Sequence, residues 1–379
     1  MSDESLLRVE GLTKHFVKIR GLLRRQIGSV KAVDGVSFSL NRGEAFALVG
    51  ESGCGKTTTG RLLLRALEPT AGDIEYRFDD EAVDLRALDR DALREFRTKV
   101  AMIFQDPYSS LNPRMSVLNV VGAPLLVNKM VHGRAELRER VAELLRMVHL
   151  DPDLMTRYPH AFSGGQRQRI AIARALAMGP RFVVADECVS ALDVSVQAQI
   201  LGLLKELQQD LDLTYLFIAH NLAVVEYFSD RTAVMYVGKI VELATTETVF
   251  RSPKHPYTEA LLAAVPTADP KLRSRRVLLS GEPADPADPP RGCSFHPRCR
   301  YAREICRVEE PPLRDVSKNG KEPHLSACHF AEELSLVGVP SRKPVPASTP
   351  SDGRLAPTNA TQGPADPPET PTEPKKEEE

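Results

Sequence analysis

The sequence predicts an α/β fold built around a parallel sheet, and three observations support this prediction. Short runs that are almost entirely apolar recur along the chain, and such runs are typical of strands buried on both faces. Segments with apolar residues at a three-to-four spacing lie between them and indicate amphipathic helices. One apolar run leads directly into a glycine-rich loop that precedes a helical segment.

The strands are predicted mainly from their apolar content, and the helices from their periodicity. The predicted strands are Leu6–Val9, Val36–Leu40, Phe46–Val49, Val100–Phe104, Phe182–Ala185 and Tyr215–Ala219. Helical spacing relates Leu137, Val141, Leu144 and Val148, and again Val196, Ile200, Leu203, Leu207 and Leu211. The segment from about residue 115 to 178 is mostly helical and is inserted between two strands, which predicts a helical subdomain.

Composition limits the classes of partner. Lys and Arg total 50 against 51 acidic residues, so no net basic field favours nucleic acid, although a local patch is not excluded. No stretch approaches the roughly 18 consecutive apolar residues that a membrane-spanning helix needs. The N-terminus is acidic and lacks the basic-then-apolar order of a signal peptide. We therefore expect a cytosolic chain that reaches a membrane only through a partner.

Residues 50–57, GESGCGKT, match a phosphate-binding loop. Glycines allow the backbone to curl so that N–H groups point at phosphate oxygens, and the following helix adds the positive end of its dipole. Lys56 supplies a cation for the terminal phosphates, and the Thr57 hydroxyl can bind Mg²⁺. The predicted ATP-binding residues of this loop are Gly50, Glu51, Ser52, Gly53, Cys54, Gly55, Lys56, Thr57 and Thr58.

A second candidate element is the apolar strand that ends in Asp186 and Glu187. At this position Asp186 would hold Mg²⁺, and Glu187 would polarise the water that attacks the terminal phosphate. The alternative is a strand that ends in a solvated acidic turn.

A third element is the turn FSGGQRQR, residues 162–169, which opens a helix. Ser163, two glycines and a helix N-terminus form a second anion-binding site that has no lysine of its own. An ordinary helix cap at Ser163 is the alternative. That alternative leaves the paired glycines and the glutamine-rich first turn unexplained.

With these ordered motifs, residues 5 to about 330 resemble an ABC-type ATPase. The resemblance implies a RecA-like core sheet, an antiparallel β subdomain and an inserted helical subdomain. It also implies a head-to-tail pair of ATPase domains, with each ATP held between the phosphate loop of one chain and the signature helix of the other. The residues implied to contact the partner's nucleotide are Ser163, Gly164, Gly165 and Gln166.

The same resemblance assigns roles to isolated residues. Phe16 falls where the family stacks an aromatic ring on adenine, with a core phenylalanine as the alternative. Gln105 matches the loop that senses Mg²⁺ and couples to the membrane subunit, so Thr57, Gln105 and Asp186 form the implied Mg²⁺ set. His220 matches the histidine that contacts the γ-phosphate, and with Glu187 it makes the implied catalytic pair.

The ABC resemblance extends to a loop that crosses the dimer interface, which Ser190–Asp193 matches. Two residues depart from the family pattern. Cys188 stands where proline is usual, and Asn221 stands where aspartate is common. Neither departure removes a ligand or the base, so an active site is expected.

A narrower resemblance, to the ATPases of oligopeptide and dipeptide importers, rests on HPYTEALL from His255 to Leu262, on YPHAF at 158–162 and on residues 190–200. The stretch from Gly21 to Phe38 resembles the second of two ATPases in such systems. This implies a heterodimer with a sister ABC ATPase, with a homodimer as the alternative. The other implied partners are two integral membrane permease subunits and, through the complex, an extracytoplasmic solute-binding protein. The chain would then lie on the cytoplasmic side of the cell membrane as a peripheral subunit.

Four of the six cysteines crowd one segment, which is predicted to bind a metal. The set Cys293, Cys299, Cys306 and Cys328 offers four soft ligands in a region with little hydrophobic core. The spacings lack the C-x2-C pairs of structural zinc, and related importer ATPases carry a [4Fe-4S] cluster at such a set. An iron–sulfur cluster is therefore expected, with zinc or no metal as the alternatives.

The predicted domains are an ATPase domain at 5–250, a Cys-rich C-terminal extension at 251–332, and a disordered tail at 333–379 that is rich in Pro, Thr, Ala and Glu. The predicted function is ATP-driven uptake of di- or oligopeptides. The alternatives are nickel, opines or other solutes as cargo, a soluble ABC ATPase acting on DNA or ribosomes, and a soluble phosphoryl-transfer enzyme. The signature helix disfavours a soluble phosphoryl-transfer enzyme. A soluble ABC ATPase acting on DNA or ribosomes would usually carry a long coiled-coil insertion, which the sequence does not show.

Overall fold

Two β-sheets and the helices around them make up the computed structural model, which describes residues 5–20, 25–79, 81–106, 110–264, 281–317 and 322–339. The strands are β1 (Ser5–Arg20), β2 (Arg25–Asn41), β3 (Ala45–Val49), β4 (Ala71–Phe78), β5 (Glu81–Asp84), β6 (Val100–Ile103), β7 (Phe182–Asp186), β8 (Thr214–Ala219), β9 (Arg231–Tyr236), β10 (Lys239–Thr245), β11 (Arg314–Asp315) and β12 (Leu325–Ser326). The helices are α1 (Lys56–Leu63), α2 (Arg90–Lys99), α3 (Val117–Val127), α4 (Arg134–Met147), α5 (Gly164–Leu176), α6 (Val194–Leu211), α7 (Leu222–Phe228), α8 (Thr246–Arg251), α9 (Pro256–Ala263) and α10 (Glu304–Val308). Short 3₁₀ helices span Pro152–Thr156, Pro159–Ala161 and His296–Arg298. The α/β prediction is confirmed.

The larger sheet has eight strands in the order β11-β12-β10-β9-β3-β8-β7-β6. The strands from β9 to β6 are parallel, and β10, β12 and β11 continue the sheet in antiparallel pairs. Strands β3, β7 and β8 are buried along their whole length, which explains why their sequences are continuously apolar. Because parallel strands share one direction, the residues that follow β3, β6, β7 and β8 all lie at one edge of this sheet.

The smaller sheet is antiparallel, in the order β2-β1-β4-β5. Its apolar side packs against β3 and α1, with Leu7, Leu12 and Leu40 in one buried cluster with Leu48 and Leu62. This second core fixes the position of α1 from one side, while the parallel sheet fixes it from the other.

All the secondary-structure elements that the described residues form between β6 and β7 are helices. Helices α3, α4 and α5 pack on one another through Val121, Val141, Leu145 and Ile170, all fully buried. None of the helices in the described part of the chain combines the length and the apolar composition needed to cross a lipid bilayer.

The region after β10 packs against the ATPase core and carries part of the predicted tail. The N–H of Val337 donates to Glu259 of α9 at 2.9 Å, and the N–H of Val339 donates to the carbonyl of Phe250 at 2.8 Å. These two positions lie within residues 333–339, where the predicted disordered tail begins, and their partners are on α8 and α9. The remainder of the predicted tail, residues 340–379, lies outside the described residues, as do residues 21–24 of the stretch that resembles a second ATPase.

Candidate active site

The phosphate loop follows β3 and requires glycine for two separate reasons. Gly50 and Gly55 adopt φ angles of 153° and 111°, in the region that side chains disfavour. A β carbon on Gly50 would lie 2.2 Å from the carbonyl oxygen of Met235, and one on Gly55 would lie 2.1 Å from that of Ala32. The loop is therefore pressed against backbone on two sides, and only glycine fits at these two positions.

Lys56 begins α1 and is folded back over the phosphate loop. Its Nζ donates to the carbonyl oxygens of Gly50 at 2.8 Å and Glu51 at 2.9 Å, and the residue is only 5% exposed. Ser52 and Gly53 are exposed at the tip of the loop. A buried ammonium at a helix N-terminus, inside a curled loop, provides the positive potential that a polyphosphate needs.

Cys54 lies within the phosphate loop, and its thiol is buried. The Sγ is 3.7 Å from Nζ of Lys56. Burial raises the pKa of the Cys54 thiol above its ordinary value, so the thiol remains protonated at neutral pH. Cys54 therefore fills space beside Lys56 without adding a charge to the loop.

Thr57 and Asp186 form the predicted metal-binding pair. The Thr57 hydroxyl donates to Oδ1 of Asp186 at 2.9 Å, which joins the start of α1 to the end of β7. Asp186 is 4% exposed, and burial raises the pKa of its carboxyl above the ordinary value. A buried carboxylate beside a hydroxyl, both next to a phosphate loop, is an oxygen donor set that fits Mg²⁺.

Glu187 contacts both His220, its predicted catalytic partner, and Gln105 of the predicted Mg²⁺ set. Gln105, which follows β6, donates from Nε2 to Oε2 of Glu187 at 2.8 Å. Nδ1 of His220, which follows β8, is 3.2 Å from the same oxygen. The three residues follow three adjacent parallel strands, which is why residues 82 and 33 positions apart in sequence converge at one edge of the sheet.

The backbone of Glu187 is held in an unusual conformation. Its φ angle is 46°, which is uncommon for a residue other than glycine. Its N–H donates to the carbonyl of Ile218 at 2.9 Å, and its own carbonyl accepts from the N–H and hydroxyl of Ser190 at 3.0 and 2.9 Å. Cys188, which stands where the resemblance implies proline, is buried, and the turn is held by these hydrogen bonds.

The turn at residues 162–169, here called the signature turn, forms a capping box at the start of α5. The N–H of Gln166 donates to Oγ of Ser163 at 3.3 Å, and the N–H of Ser163 donates to Oε1 of Gln166 at 3.1 Å. A β carbon on Gly165 would lie 2.6 Å from Val196 at the start of α6, so this glycine has a packing reason of its own. In the described part of the chain, no hydrogen bond or ion pair joins residues 163–166 to the phosphate loop.

Phe16 lies on β1 with 39% of its surface exposed, and Nζ of Lys14 is 5.2 Å from its ring centre. The exposure argues against the core alternative and leaves a ring face available for stacking. Asn221 caps α7 by accepting the N–H of Ala223 at 3.0 Å. Asparagine and aspartate are equivalent as N-caps, so this departure from the family pattern preserves the start of α7.

Asp193 also acts as a helix cap in this structure. Its carboxylate accepts the N–H of Val196 at 3.0 Å, and a hydrogen bond from Ser195 lowers its pKa below the ordinary value. The loop that was predicted to cross a dimer interface is thereby fixed to the start of α6.

Two contacts at the phosphate loop had no sequence signal. The hydroxyl of Tyr257 accepts the N–H of Glu51 at 2.8 Å, and the guanidinium of Arg298 binds both carboxylate oxygens of Glu51 at 2.7 and 2.9 Å. Tyr257 belongs to the HPYTEALL string, but its spacing indicates only a helix. Arg298 is 247 residues from Glu51 and follows no pattern that links the two.

The iron–sulfur prediction is wrong. Cys293, Cys299, Cys306 and Cys328 line a common cavity, but its volume is about 20 Å³, room for about one water molecule. Among the described residues, no group of three or more His, Cys, Asp and Glu side chains is placed to hold a metal ion, which also removes support for zinc. Burial raises the pKa of Cys293, Cys299 and Cys328 to about 11, so these thiols keep their protons at neutral pH. The cysteines here pack as small apolar side chains.

Two family models match the chain. Residues 33–190 match a model described as ABC transporter. Residues 241–306 match a model described as oligopeptide/dipeptide transporter, C-terminal region. The first match contains the phosphate loop, the signature turn and Glu187, and the second contains both Tyr257 and Arg298.

Curated relatives match nearly end to end. The oligopeptide transport ATP-binding protein AppF of Bacillus subtilis is 46% identical over 332 residues, which cover 87% of this chain and 98% of the relative. The probable peptide ABC transporter ATP-binding protein y4tS of Sinorhizobium fredii is 49% identical over 346 residues, covering 90% and 96%.

Solved structures with the same fold cover about two thirds of this chain. A dimeric post-hydrolysis state of the ATP-binding cassette MJ0796, bound to ADP and Pi, is similar with a TM-score of 0.55 and 28% identity. It covers 64% of this chain and 99% of that one. The structure of cbiO1 from Clostridium perfringens, part of the complex cbiONQ, has a TM-score of 0.54 and 28% identity, covering 65% and 91%.

Proposed function

Because this chain belongs to the family of ABC transporter ATP-binding subunits, we propose that it hydrolyses ATP to drive the import of di- or oligopeptides. The observation that carries the ATPase is the convergence of Gln105, Glu187 and His220 at the edge of the sheet, beside Thr57 and Asp186. The peptide cargo is supported by the extension, which matches the C-terminal region of oligopeptide and dipeptide transporters.

ATP binding requires a change at Lys56. In this structure its ammonium satisfies two carbonyl groups of the loop, and it exchanges these for the terminal phosphates of ATP. Phe16 stacks on the adenine ring. Thr57, Asp186 and Gln105 would hold Mg²⁺, which would neutralise charge on the phosphates.

Hydrolysis requires a base that faces the γ-phosphate. Glu187 accepts a proton from the attacking water, and its unusual backbone conformation is held by hydrogen bonds with Ile218 and Ser190. His220 contacts the γ-phosphate through its exposed ring. Gln105 donates to Glu187 here, so release of this hydrogen bond would leave the carboxylate oxygen free to accept from water.

The complete site requires a second ATP-binding subunit. Within the described residues, 163–166 make no hydrogen bond or ion pair with this chain's own phosphate loop, and a helix N-terminus suits a phosphate held by another chain. We infer a sister ATPase as that partner, with a second copy of this chain as the alternative. Two permease subunits and an extracytoplasmic binding protein complete the importer, with this subunit on the cytoplasmic side of the membrane.

Uptake in cells tests the cargo. A strain lacking this subunit is complemented with the wild-type chain or with Glu187→Gln, and uptake of a labelled dipeptide and a labelled pentapeptide is measured. We expect uptake of at least one peptide with the wild-type chain only. Normal peptide uptake in the deletion strain would contradict the cargo, and a nickel uptake defect in the same strain would replace it with a metal.

A further inference from the structure

The phosphate loop is fastened at Glu51 by two side chains of the C-terminal extension (residues 251–332). Tyr257 accepts the backbone N–H of Glu51, and Arg298 binds its carboxylate through two parallel hydrogen bonds. The carbonyl of Glu51 accepts from Lys56. The backbone N–H, the backbone carbonyl and the carboxylate of Glu51 therefore all have hydrogen-bond partners.

Arg298 is placed for a stronger interaction than a surface ion pair. Its side chain is 6% exposed and that of Glu51 is 25% exposed, so water screens the pair only partly. The two parallel hydrogen bonds fix the relative orientation of the two side chains as well as the distance between them. The hydrogen bonds with Glu51 raise the pKa of Arg298 further above its ordinary value, so the guanidinium is charged at neutral pH.

Tyr257 belongs to a rigid aromatic cluster that reaches back to the core sheet. Its ring is fully buried, 4.6 Å from the ring centre of Tyr236 on β9 and 5.3 Å from that of Phe295. Tyr236 directly follows Met235, whose carbonyl limits the space at Gly50. The hydroxyl that holds Glu51 is therefore fixed by packing that is independent of the loop.

We propose that Arg298 and Tyr257 are positioning residues for ATP binding. Through their contacts with Glu51 they hold the phosphate loop in the conformation that this structure shows. The inference rests on the proposed function only in taking ATP as the ligand. When Lys56 leaves the carbonyls of Gly50 and Glu51 for phosphate, the loop loses two internal hydrogen bonds at that moment. The contacts from Arg298 and Tyr257 do not use Lys56, so they maintain the loop while its lysine moves and reduce the ordering cost of binding.

The affinity of the full-length chain for a fluorescent ATP analogue tests the proposal, together with KM and kcat for ATP. Arg298→Gln should weaken binding and raise KM by about 3- to 10-fold, with kcat at saturating ATP within about 2-fold of wild type. Tyr257→Phe keeps the aromatic packing, loses the acceptor, and should shift affinity in the same direction. In a Glu51→Gln background, Arg298→Gln should weaken ATP binding little further, because each change alone already removes the same ion pair.

Arg314→Gln is the control, because Arg314 also donates to both carboxylate oxygens of a glutamate, Glu332, at a more exposed place in the extension. It should leave ATP affinity unchanged. Wild-type affinity in both Arg298→Gln and Tyr257→Phe would overturn the proposal. So would an equal loss in Arg314→Gln, which would indicate general destabilisation of the extension. Failure of the wild-type chain to hydrolyse ATP would instead contradict the proposed function, and the binding measurement would still decide this one.

Discussion

Replacing the base at position 187 separates ATP binding from ATP hydrolysis. Glu187→Gln keeps the shape of the side chain, and its amide oxygen can still accept the hydrogen bond from Gln105 that now measures 2.8 Å. The backbone at φ 46° is held by Ile218 and Ser190, which the substitution does not touch. The change therefore removes a proton acceptor and one negative charge while the local fold is retained.

The expected loss follows from what the carboxylate does. General-base catalysis contributes about 10²- to 10⁴-fold, and a well-placed amide retains the positioning of water but not the proton transfer. We expect kcat to fall by about 10²- to 10³-fold, equivalent to about 3–4 kcal/mol in the activation barrier. Affinity for ATP should change little, because Lys56, Thr57 and Asp186 remain in place.

Phosphate release and nucleotide binding are measured on the same full-length preparation. Glu206→Gln is a matched control, since Glu206 also faces a histidine, His149, at 3.4 Å, on an exposed surface away from the phosphate loop. It should hydrolyse ATP at the wild-type rate. Wild-type hydrolysis by Glu187→Gln would refute the assignment of the base, and loss of ATP binding would refute the separation of the two steps.

Three further outcomes follow from particular contacts. Asp186→Asn preserves an oxygen for the Thr57 hydroxyl but removes the charge for Mg²⁺, so half-maximal ATPase should require about 10-fold more Mg²⁺, measured by titration. His255 is buried with a pKa lowered to about 3, so below pH 6.5 the unfolded chain binds a proton that the folded chain does not. Stability should therefore fall with decreasing pH, by about 2 kcal/mol at pH 5 from this residue, and His255→Asn should abolish that part in urea unfolding. Gly165→Ala places a β carbon 2.6 Å from Val196 and should cost about 1–3 kcal/mol by thermal unfolding, whereas Gly164→Ala, with 3.4 Å to its nearest neighbour, should cost less.

The sequence predicted those strands whose surroundings leave a plain mark on composition. β3, β7 and β8 are covered on both faces, so their residues are continuously apolar. β4 alternates between buried and half-buried residues only from its fourth residue onward, and β11 and β12 have two residues each, too few for any periodicity. These strands form by hydrogen bonding to neighbouring strands. The residues that specify them therefore lie elsewhere in the chain.

The candidate site was predictable where residues follow strands of one parallel sheet. Gln105, Glu187 and His220 each come directly after a predicted strand or close to its end, and adjacency of those strands then brings them together. Arg298 could not be predicted, because nothing in its neighbourhood specifies a contact with residue 51. The cysteine set shows the opposite error, since closeness in sequence suggested a ligand shell where the structure has room for about one water.

Transport by a reconstituted importer tests whether ATP hydrolysis by this subunit drives peptide import. Proteoliposomes containing this subunit, its partner ATPase and the permease pair are supplied with binding protein and labelled dipeptide on one side and ATP on the other. We expect ATP-dependent accumulation with the wild-type subunit and none above background when both ATPases carry the glutamine substitution at the base, Glu187→Gln in this chain. Accumulation without ATP, or equal accumulation with the substituted subunits, would contradict it.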